Sequence, residues 1–487
     1  MHKKMRLMWV ARIVLTTLIG SAMVAQAAER LPPFEEISGE LPDKTKYLIR
    51  KPAKWNGTVI SDLDFRTRAD HGIYRYLLSE GFGLSGTARR DDRYVNLSQR
   101  GDVERIQQVL EIFKTKFGKP KRVIAFGRSA GGGAALSAAE NFPHTTDGAI
   151  AMCATTPFLS ANHRFDFLFL LKAVLKPHDS TVVVHPFPSD RTAVVARWQE
   201  VVEAALRTPE GKAKIAFAFA AAQFPYFGHT NVKAGTAPPP EANDPQQVLS
   251  AMLDSVVPSL EPTISNLNQL NTNPAPMTWN VGADYARYFD NADPVQKKLV
   301  LDLYREAGLD LQKELDDIDR MPRVSMDAAG AAVWLNDPVQ TPRGNPKIPL
   351  FHLHTDGDQA IAQEQAQVYF DQARRNGKAH LVRSATVHRG GHCNFTTAEE
   401  ATAVKVMMQR LDSGQYGDTS PAALTALAAG LATEKANRGS AESSYAARTS
   451  NEISNFVPRQ LRPFNGEWRL RTYSHEFVSV EAASARR

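Results

Sequence analysis

Apolar side chains recur at helical spacing between residues 102 and 117. Ile106, Leu110 and Phe113 fall on one face of this segment, and charged residues occupy the opposite face. That period is typical of an amphipathic helix packed against a core. Because Gly118 follows the segment directly, the pattern predicts a helix that ends there.

Short apolar runs without polar alternation stand on both sides of this helix. In chain order they read TVIS, GFGLSG, VIAFG, GAIAMC and IPLFHLH. Continuous apolar runs of this length are typical of parallel strands that are buried on both faces. The helix at 102–117 and a helical stretch after Ser129 separate three of them, and the pattern resumes after IPLFHLH with a helix at 364–375, the strand HLVRSATV and a helix at 397–411. We therefore expect βαβ units around a parallel sheet. Residues 34–52 predict two further strands joined by a Pro-Asp turn.

The alternation of strands and helices breaks off between residues 158 and 345. Amphipathic stretches such as 295–315 dominate there, together with a proline-rich loop. A connection of this length is not a plain loop in a compact domain, so we predict a mainly helical insertion. The chain after Gly414 is less patterned, and 425–444 is expected to be partly disordered.

The first 27 residues have the pattern of a secretory leader. Four basic residues and no acidic ones accompany the apolar stretch 13–25, which ends in the cleavage-type tripeptide Ala25-Gln26-Ala27. We therefore expect an exported protein, periplasmic or secreted. The apolar stretch is short for a membrane span, and no later segment reaches about 18 uninterrupted apolar residues, so no membrane span is expected.

Charge and cysteine content add two points. The formal net charge of +6 becomes +6 − 4 = +2 without the leader, and no basic stripe is present, so a nucleic-acid partner is not expected. Cys153 and Cys393 are the two cysteines of the chain. In an oxidising compartment these cysteines are able to form one disulfide, and the alternative is two buried thiols. The spacing of the cysteines in the sequence does not decide between the two.

The stretch FGRSAGGG, residues 126–133, carries the main chemical signal. Its pentapeptide from Gly127 to Gly131 matches G-x-S-x-G, placed between a buried strand and a helix rich in small residues. A serine hydroxyl is a weak nucleophile and has to project from a sharp turn toward a base, while the glycines leave room for neighbouring backbone. We predict Ser129 as nucleophile and the Ala130 N–H as an oxyanion donor, with a merely structural Gly-rich turn as the alternative.

A base and an acid are expected downstream, in the order Ser, Asp, His. Asp356 and Asp358 follow one buried strand, and His388 and His392 follow the next. We favour Asp358, because an apolar residue and a helix follow it at suitable spacing, and assign Asp356 to a turn. We favour His392 as general base, because it lies in a Gly-flanked loop, whereas His388 lies at a strand end.

With these residues the chain resembles the α/β-hydrolase superfamily of serine hydrolases, and in particular secreted bacterial esterases and amidases. The matching positions are 127–132, Asp358 and His392, in the family's order. The resemblance implies an α/β-hydrolase fold, that is, a mostly parallel central sheet with a large, mainly helical cap insertion. It implies a small-molecule ester or amide substrate, an acyl-enzyme, no cofactor and no metal. The expected division is signal peptide 1–27, first core part 28–157, cap 158–345, second core part 346–415 and C-terminal extension 416–487.

The stretch GGHCNFT is similar to the His-Cys motif of the tannase and feruloyl esterase family. In that family the cysteine after the histidine pairs with one just before the nucleophile. Here Arg128 occupies that position and Cys153 lies on the next strand, so the pairing does not carry over, and a bridge between Cys153 and Cys393 stays open.

The family's second oxyanion donor comes from the loop after the third strand, which reads SDLDF here. By position the resemblance assigns this backbone N–H to Leu63 or Asp64. Arg128, with Arg89 and Arg90, is a candidate for binding a substrate carboxylate. Structural or surface salt bridges are the alternative for these arginines.

Two rival functions remain. His352, His354, Asp356 and Asp358 form H-x-H-x-D-x-D on a strand, where alternate residues share a face, so a metal-dependent hydrolase is one alternative. A non-catalytic binding protein on a hydrolase scaffold is the other. The prediction is an exported serine hydrolase, with a carboxylesterase preferred over an amidase or peptidase, and the oligomeric state is not predicted.

Overall fold

The computed structural model describes the greater part of the 487-residue chain. The described residues are 31–63, 65, 69, 72–90, 92, 97–155, 157–228, 239–433 and 456–457, and for 157–160 only the backbone is described. The predicted leader, 1–27, lies outside the described residues, and so does most of the stretch after residue 433.

The described strands form one nine-stranded sheet in the order β1-β2-β4-β3-β5-β6-β7-β8-β9. Their bounds are Phe34–Glu40, Lys46–Pro52, Thr58–Asp62, Gly83–Thr87, Arg122–Arg128, Gly148–Met152, Leu350–Gly357, Val382–Gly390 and Phe456–Val457. All neighbours from β4 across to β8 are parallel, while β1, β2 and β9 pair antiparallel at the two edges. The predicted fold class, an α/β-hydrolase fold with a mostly parallel sheet, is confirmed.

Helices cover both faces of the sheet and fill the long connection between β6 and β7. In chain order α1 to α14 are Gly72–Ser79, Gln99–Phe117, Ala130–Asn141, Pro157–Leu175, Thr192–Ala205, Pro209–Ala222, Pro245–Asn271, Tyr285–Asp290, Pro294–Glu306, Leu311–Asp319, Ala328–Asn336, Gln363–Arg375, Thr397–Ser413 and Pro421–Thr433. No helix in the described part of the chain is long and apolar enough to cross a membrane.

The alternation of side chains along β5 shows why the continuous apolar runs are central strands. Ile124 and Phe126 are buried in one core that includes side chains of α1 and α13. Ala125 is buried on the opposite face, in a core formed with α3 and α12. Successive side chains point to opposite faces, so a strand covered on both faces needs an apolar residue at every position.

The helix predicted over 102–117 is confirmed, with its start three residues earlier. It begins at Gln99 because the Ser98 hydroxyl accepts a hydrogen bond from the Gly101 N–H at 3.1 Å and caps the first turn. Its apolar face, including Val109, Leu110 and Phe113, is fully buried. The periodicity located the helix body, and the cap sets its first residue.

Helices α4 to α11 lie between β6 and β7 and have an extensive core of their own. Trp198, Trp279 and Trp334 are completely buried in it. The boundaries 158 and 345 of this segment as a separate unit stay a prediction.

The stretch expected to be partly disordered is helical over part of its length. Helix α14 packs against α13 and buries Leu424 and Leu431. Further on, Phe456 is buried and pairs with β8. Residues up to Thr433 are therefore ordered, because the small apolar residues of α14 pack on a neighbouring helix that sequence periodicity does not reveal. Residues 434–444 lie outside the described residues, so partial disorder of the stretch stays a prediction.

Candidate active site

Ser129 lies on a sharp turn between β5 and α3. It has φ 58° and ψ −121°, a conformation that L-residues rarely adopt. The backbone around it is well anchored: the Ser129 N–H donates to the Met152 carbonyl at 3.0 Å, and the Ser129 carbonyl accepts from the Thr155 N–H at 3.1 Å. Such bonds over-determine a strained backbone and hold it in place.

The glycines around Ser129 are required by close backbone approach. A Cβ on Gly127 would lie 2.2 Å from the carbonyl oxygen of Gly131, and a Cβ on Gly132 would lie 2.7 Å from that of Met152. Any side chain at these positions would therefore displace backbone. The first glycine of G-x-S-x-G, and Gly132 directly after the motif, thus follow from the packing of helix α3 on the ends of β5 and β6.

Ser129, His392 and Asp358 form a continuous chain of hydrogen bonds. The His392 Nε2 lies 2.8 Å from the Ser129 Oγ, and its Nδ1 lies 2.8 Å from the Asp358 Oδ2. When Nδ1 carries the proton and donates to the carboxylate, Nε2 is free to accept the serine hydroxyl proton. The structure thus brings together a serine and an acid that are more than 200 positions apart in the sequence, with the histidine between them. Their roles as nucleophile, acid and base stay a prediction.

Asp358 is completely buried, and its charge is compensated. The backbone N–H groups of Ala360 and Ile361 donate to its Oδ1, each at 2.9 Å. Burial alone would raise the pKa of Asp358, but the neighbouring His392 and these donors outweigh burial and hold that pKa below its usual value. Asp358 is therefore ionised at neutral pH and able to stabilise a positive charge on His392.

The loop that carries Asp358 is held by the helical segment. Gln359 is buried; its amide donates to the Pro225 carbonyl at 2.9 Å, and its oxygen accepts from the Ser259 hydroxyl of α7 at 2.8 Å. Arg164 of α4 donates to the Ala360 carbonyl at 2.5 Å. These contacts were not predicted, since nothing in the local sequence connects positions so far apart.

The loop that carries His392 is tied at several points. The Gly391 N–H donates to the Gly357 carbonyl at 2.9 Å, and the Gly391 carbonyl accepts from the Thr355 hydroxyl at 2.8 Å. Arg389 forms a two-point ion pair with Glu399, at 2.5 and 2.9 Å, and also donates to the Asn394 carbonyl at 3.0 Å. Both ends of the loop are therefore fixed by buried groups.

Cys153 and Cys393 form a disulfide, with their Cα atoms 5.5 Å apart. Cys153 follows the last residue of β6, and Cys393 follows His392 directly. The bridge therefore ties the loop that carries His392 to the strand beside the serine turn. The sequence left open whether these cysteines form a disulfide or remain two buried thiols, and the structure contains the disulfide.

His388 and Asp356 form a second pair. The His388 Nδ1 lies 2.5 Å from the Asp356 Oδ2, and the Arg389 N–H donates to the Asp356 Oδ1 at 3.0 Å. Burial would lower the pKa of His388, but the hydrogen bond and charge of Asp356 outweigh burial and raise that pKa. Asp356 lies within β7, so its assignment to a turn was wrong. It meets His388 because β7 and β8 are neighbouring strands, with Thr355 opposite Val387 and Gly357 opposite Gly390.

The histidines of the H-x-H-x-D-x-D motif are bonded within the protein. The His354 Nε2 donates to the Ile361 carbonyl at 2.8 Å, and its Nδ1 lies 3.4 Å from the His352 Nε2. The His352 Nδ1 in turn lies 3.2 Å from the Ser384 hydroxyl. Since both rings are almost fully buried and use their nitrogens in this way, the motif is better explained as a packed hydrogen-bonded chain than as a metal site.

Of the residues expected to supply the oxyanion donors, Ala130 and Leu63 belong to the described part of the chain. Ala130 is the first residue of α3, where backbone N–H groups have no partner within the helix. Leu63 is buried beside it, with its Cβ 3.4 Å from where a Cβ on Gly131 would lie. Asp64 lies outside the described residues.

The candidate carboxylate-binding arginines are engaged with acids of the protein itself. The Arg128 Nε donates to the Glu400 Oε1 at 2.5 Å, and its Nη1 lies 3.8 Å from the Asp62 Oδ2. Arg90 pairs with Asp92 at 2.6 Å. Glu400 was missed by the sequence analysis, although the T-x-x-E capping box that starts its helix at Thr396 is readable from the sequence.

Comparisons with known proteins give one clear relative. No protein-family model matches the chain. The o-phthalyl amidase of Xanthobacter agilis is 33% identical over 433 residues, which cover 83% of this chain and 94% of the amidase. Among solved structures, feruloyl esterase B from Aspergillus oryzae is similar, at 13% identity, with a TM-score of 0.40 and coverage of 79% of this chain and 82% of that one. An acylaminoacyl peptidase from Pyrococcus horikoshii shares 11% identity, with a TM-score of 0.36 and coverage of 82% and 45%.

Proposed function

The chain belongs to the α/β-hydrolase superfamily of serine hydrolases, in the same family as the o-phthalyl amidase of Xanthobacter agilis, and we propose that it cleaves an amide or carboxylic ester through an acyl-enzyme on Ser129. The observation that carries the proposal is the chain of two 2.8 Å hydrogen bonds from Ser129 through His392 to Asp358. Esterase and amidase chemistry use the same steps, so this geometry supports both.

In the first half-reaction His392 accepts the Ser129 proton as the Oγ attacks the carbonyl carbon. The resulting imidazolium is stabilised by the buried Asp358 carboxylate, whose pKa is lowered by that neighbour. His392 then donates the proton to the departing amine or alcohol, which leaves an ester on Ser129. A water molecule, activated by His392 in the same way, hydrolyses that ester and releases the acid.

The oxyanion of the tetrahedral intermediate needs hydrogen-bond donors beside Ser129. The Ala130 N–H, at the start of α3, is the first donor that we propose, and the Leu63 N–H is the second, with Asp64 as the neighbouring alternative. Donors of this kind each contribute about 10²- to 10³-fold to the rate.

The substrate that the relative's name supports is an o-phthalyl amide. At 33% identity over nearly the whole amidase, acceptance of an aromatic acyl group by this chain is a reasonable test case. The preference for esters over amides stays a prediction. A metal-dependent reaction receives no support from His352 and His354, because their ring nitrogens are bonded to protein groups.

Two further parts of the proposal concern location and enclosure. We propose that residues 1–27 direct export, on the strength of their basic, apolar and A-x-A pattern. We also propose that helices α4 to α11 act as a cap that shapes the substrate pocket. The bonds from Gln359 to Pro225 and Ser259 support this, since they connect these helices to the loop of Asp358.

A direct test combines turnover with covalent labelling. Purified protein is assayed on p-nitrophenyl esters, on anilides and on an o-phthalyl amide, and a fluorophosphonate is used to label the nucleophile. Ser129→Ala is expected to lose at least about 10⁴-fold in kcat and all labelling. Ser137→Ala is the matched control on the same helix, because its buried hydroxyl donates to the Val339 carbonyl, away from His392.

Undiminished turnover by Ser129→Ala on every substrate that the wild type cleaves would contradict the proposal. Loss of activity with a chelator, together with no effect of the fluorophosphonate, would favour the metal-dependent alternative. Absence of turnover and of labelling in the wild type would favour a binding protein.

A further inference from the structure

Two arginines stand at the two ends of β5, and each is paired with an acid of helix α13. Arg128, at the end next to Ser129, pairs with Glu400 at 2.5 Å. Arg122, at the opposite end of the strand, pairs with Asp412 at 2.5 Å. The nucleophile strand and α13 are therefore connected at both ends by the same kind of contact.

The two ion pairs differ in their exposure to solvent. The Glu400 side chain is 8% exposed, whereas that of Asp412 is 63% exposed. The two arginine side chains are equally exposed, at 19%, so the difference between the pairs lies in their carboxylates. Water and salt weaken the interaction of an exposed carboxylate, whereas they screen that of a buried carboxylate much less. Loss of the Glu400 charge is therefore expected to disturb Arg128 more than loss of the Asp412 charge disturbs Arg122.

Arg128 also reaches the segment that precedes Leu63. Its Nη1 lies 3.8 Å from the Asp62 Oδ2, and the same oxygen accepts a hydrogen bond from the Tyr74 hydroxyl at 2.8 Å. Asp62 is the last residue of β3, directly before Leu63. Arg128 thus contacts one acid beside the expected oxyanion loop and another on the helix that follows the His392 loop.

That helix is itself joined to the His392 loop. Glu399, the residue before Glu400, is completely buried, and its carboxylate accepts hydrogen bonds from the Nη1 and Nη2 of Arg389. It also accepts from the Thr396 N–H at 2.8 Å. Two adjacent glutamates on the first turn of α13 therefore hold one arginine beside the nucleophile and one beside the base.

We propose that Glu400 is a positioning residue, which acts through Arg128 to hold the Ser129 turn in register with His392 and the oxyanion loop. The inference rests on the proposed function of Ser129. Arg128 and Ser129 are consecutive, so a guanidinium that moves from Glu400 toward Asp62 pulls on the backbone whose φ of 58° sets the direction of the Oγ. A misplacement of about 1 Å at a reacting atom reduces the rate by as much as about 10²-fold.

A role of Arg128 in binding a substrate carboxylate makes a different prediction. In that case the affinity for anionic substrates falls when Glu400 is changed, because the guanidinium is reoriented, while turnover of neutral substrates is unaffected. In the positioning role the rate falls for neutral and anionic substrates alike, and KM changes little. Kinetics on both kinds of substrate therefore separates the two roles.

The experiment compares Glu400→Gln with the matched control Asp412→Asn in the full-length protein. Measured are kcat and KM on a neutral p-nitrophenyl ester and on an anionic o-phthalyl amide, the rate constant for fluorophosphonate labelling of Ser129, and Tm. All rates are expressed per labelled site, so that misfolded molecules do not contribute. A third variant, Glu400→Asp, keeps the carboxylate on a shorter side chain.

We expect Glu400→Gln to lower kcat and the labelling rate by about 10- to 100-fold, with KM within about twofold on both substrates. Asp412→Asn is expected to stay within about twofold of the wild type, and Glu400→Asp to recover part of the lost rate. Equal rates for Glu400→Gln and Asp412→Asn would overturn the proposal, and so would a rise in KM confined to the anionic substrate. Full activity in Ser129→Ala would instead reject the proposed function itself.

Discussion

The His388 Nδ1 lies 2.5 Å from the Asp356 Oδ2, in a pair that repeats the His392–Asp358 pair: Asp356 precedes Asp358 by two residues, and His388 precedes His392 by four. Both pairs have the geometry of a histidine oriented by a carboxylate. They differ in one respect: in the described structure the His392 Nε2 reaches the Ser129 Oγ, at 2.8 Å. The contact with Ser129 therefore distinguishes a candidate base from a structural histidine.

Exchange of each histidine for alanine tests this distinction. His392→Ala is expected to lose at least about 10⁴-fold in kcat, because in the described structure His392 is the group placed to accept the Ser129 proton. His388→Ala is expected to keep kcat within about threefold and to lose about 1–3 kcal/mol of stability, because the Asp356 Oδ2 loses its histidine partner. Steady-state kinetics and thermal unfolding of both variants measure these effects, and the reverse pattern would reassign the base to His388.

Asp358→Asn tests the role of the buried acid. An amide retains the size of the carboxylate but not its charge, so it cannot stabilise the imidazolium and favours the wrong histidine tautomer. We expect a loss of about 10³- to 10⁴-fold in kcat with little change in KM. Asp356→Asn is the matched control two residues away, and an equal loss of kcat in that variant would contradict the assignment of Asp358.

The disulfide between Cys153 and Cys393 is expected to contribute to stability. The bridge closes a loop with a sequence separation of 240 residues, and native disulfides contribute about 2–5 kcal/mol. The double variant Cys153→Ala/Cys393→Ala should lower the free energy of unfolding by this amount in denaturant titrations. Dithiothreitol should destabilise the wild type similarly and leave the double variant unchanged, and an effect on both would show that the reductant acts elsewhere.

The His388–Asp356 pair predicts a pH-dependent contribution to stability. The groups facing His388 are the Asp356 carboxylate, the Phe227 ring and, at longer range, the charge of Glu241. Because the folded-state pKa of His388 is raised above its ordinary value of 6.5, protonation stabilises the fold below that value, and the contribution is lost as the pH rises through the raised pKa.

The difference in Tm between the wild type and His388→Gln should therefore be larger at pH 6 than at pH 9. Thermal unfolding at several pH values measures it. His380→Gln, at a surface position of the 3₁₀ turn before β8, is the control for a histidine without this partner. A difference that does not depend on pH would argue against a charged His388 in the folded protein.

The features predicted most closely are those with a local cause. The turn at Ser129 was readable because Gly127, two residues before it, has to be a glycine: a Cβ there would collide with the backbone of Gly131. The helix over 99–117 was found from its apolar face, and only its first turn, capped by Ser98, was missed. Asp356 was misplaced in a turn, because the length of β7 depends on pairing with β8 rather than on its own residues.

The sequence by itself determined the parallel sheet, the turn at Ser129 and the chain order of serine, acid and histidine. These follow from side-chain period and from steric demands between near neighbours, which depend on a few consecutive residues. Only the tertiary structure decided that Cys153 bonds to Cys393, that Arg128 meets Glu400, and that His392 rather than His388 reaches Ser129. Each of these contacts joins residues more than 200 positions apart, and which distant side chains meet is decided by how the whole sheet and its helices pack.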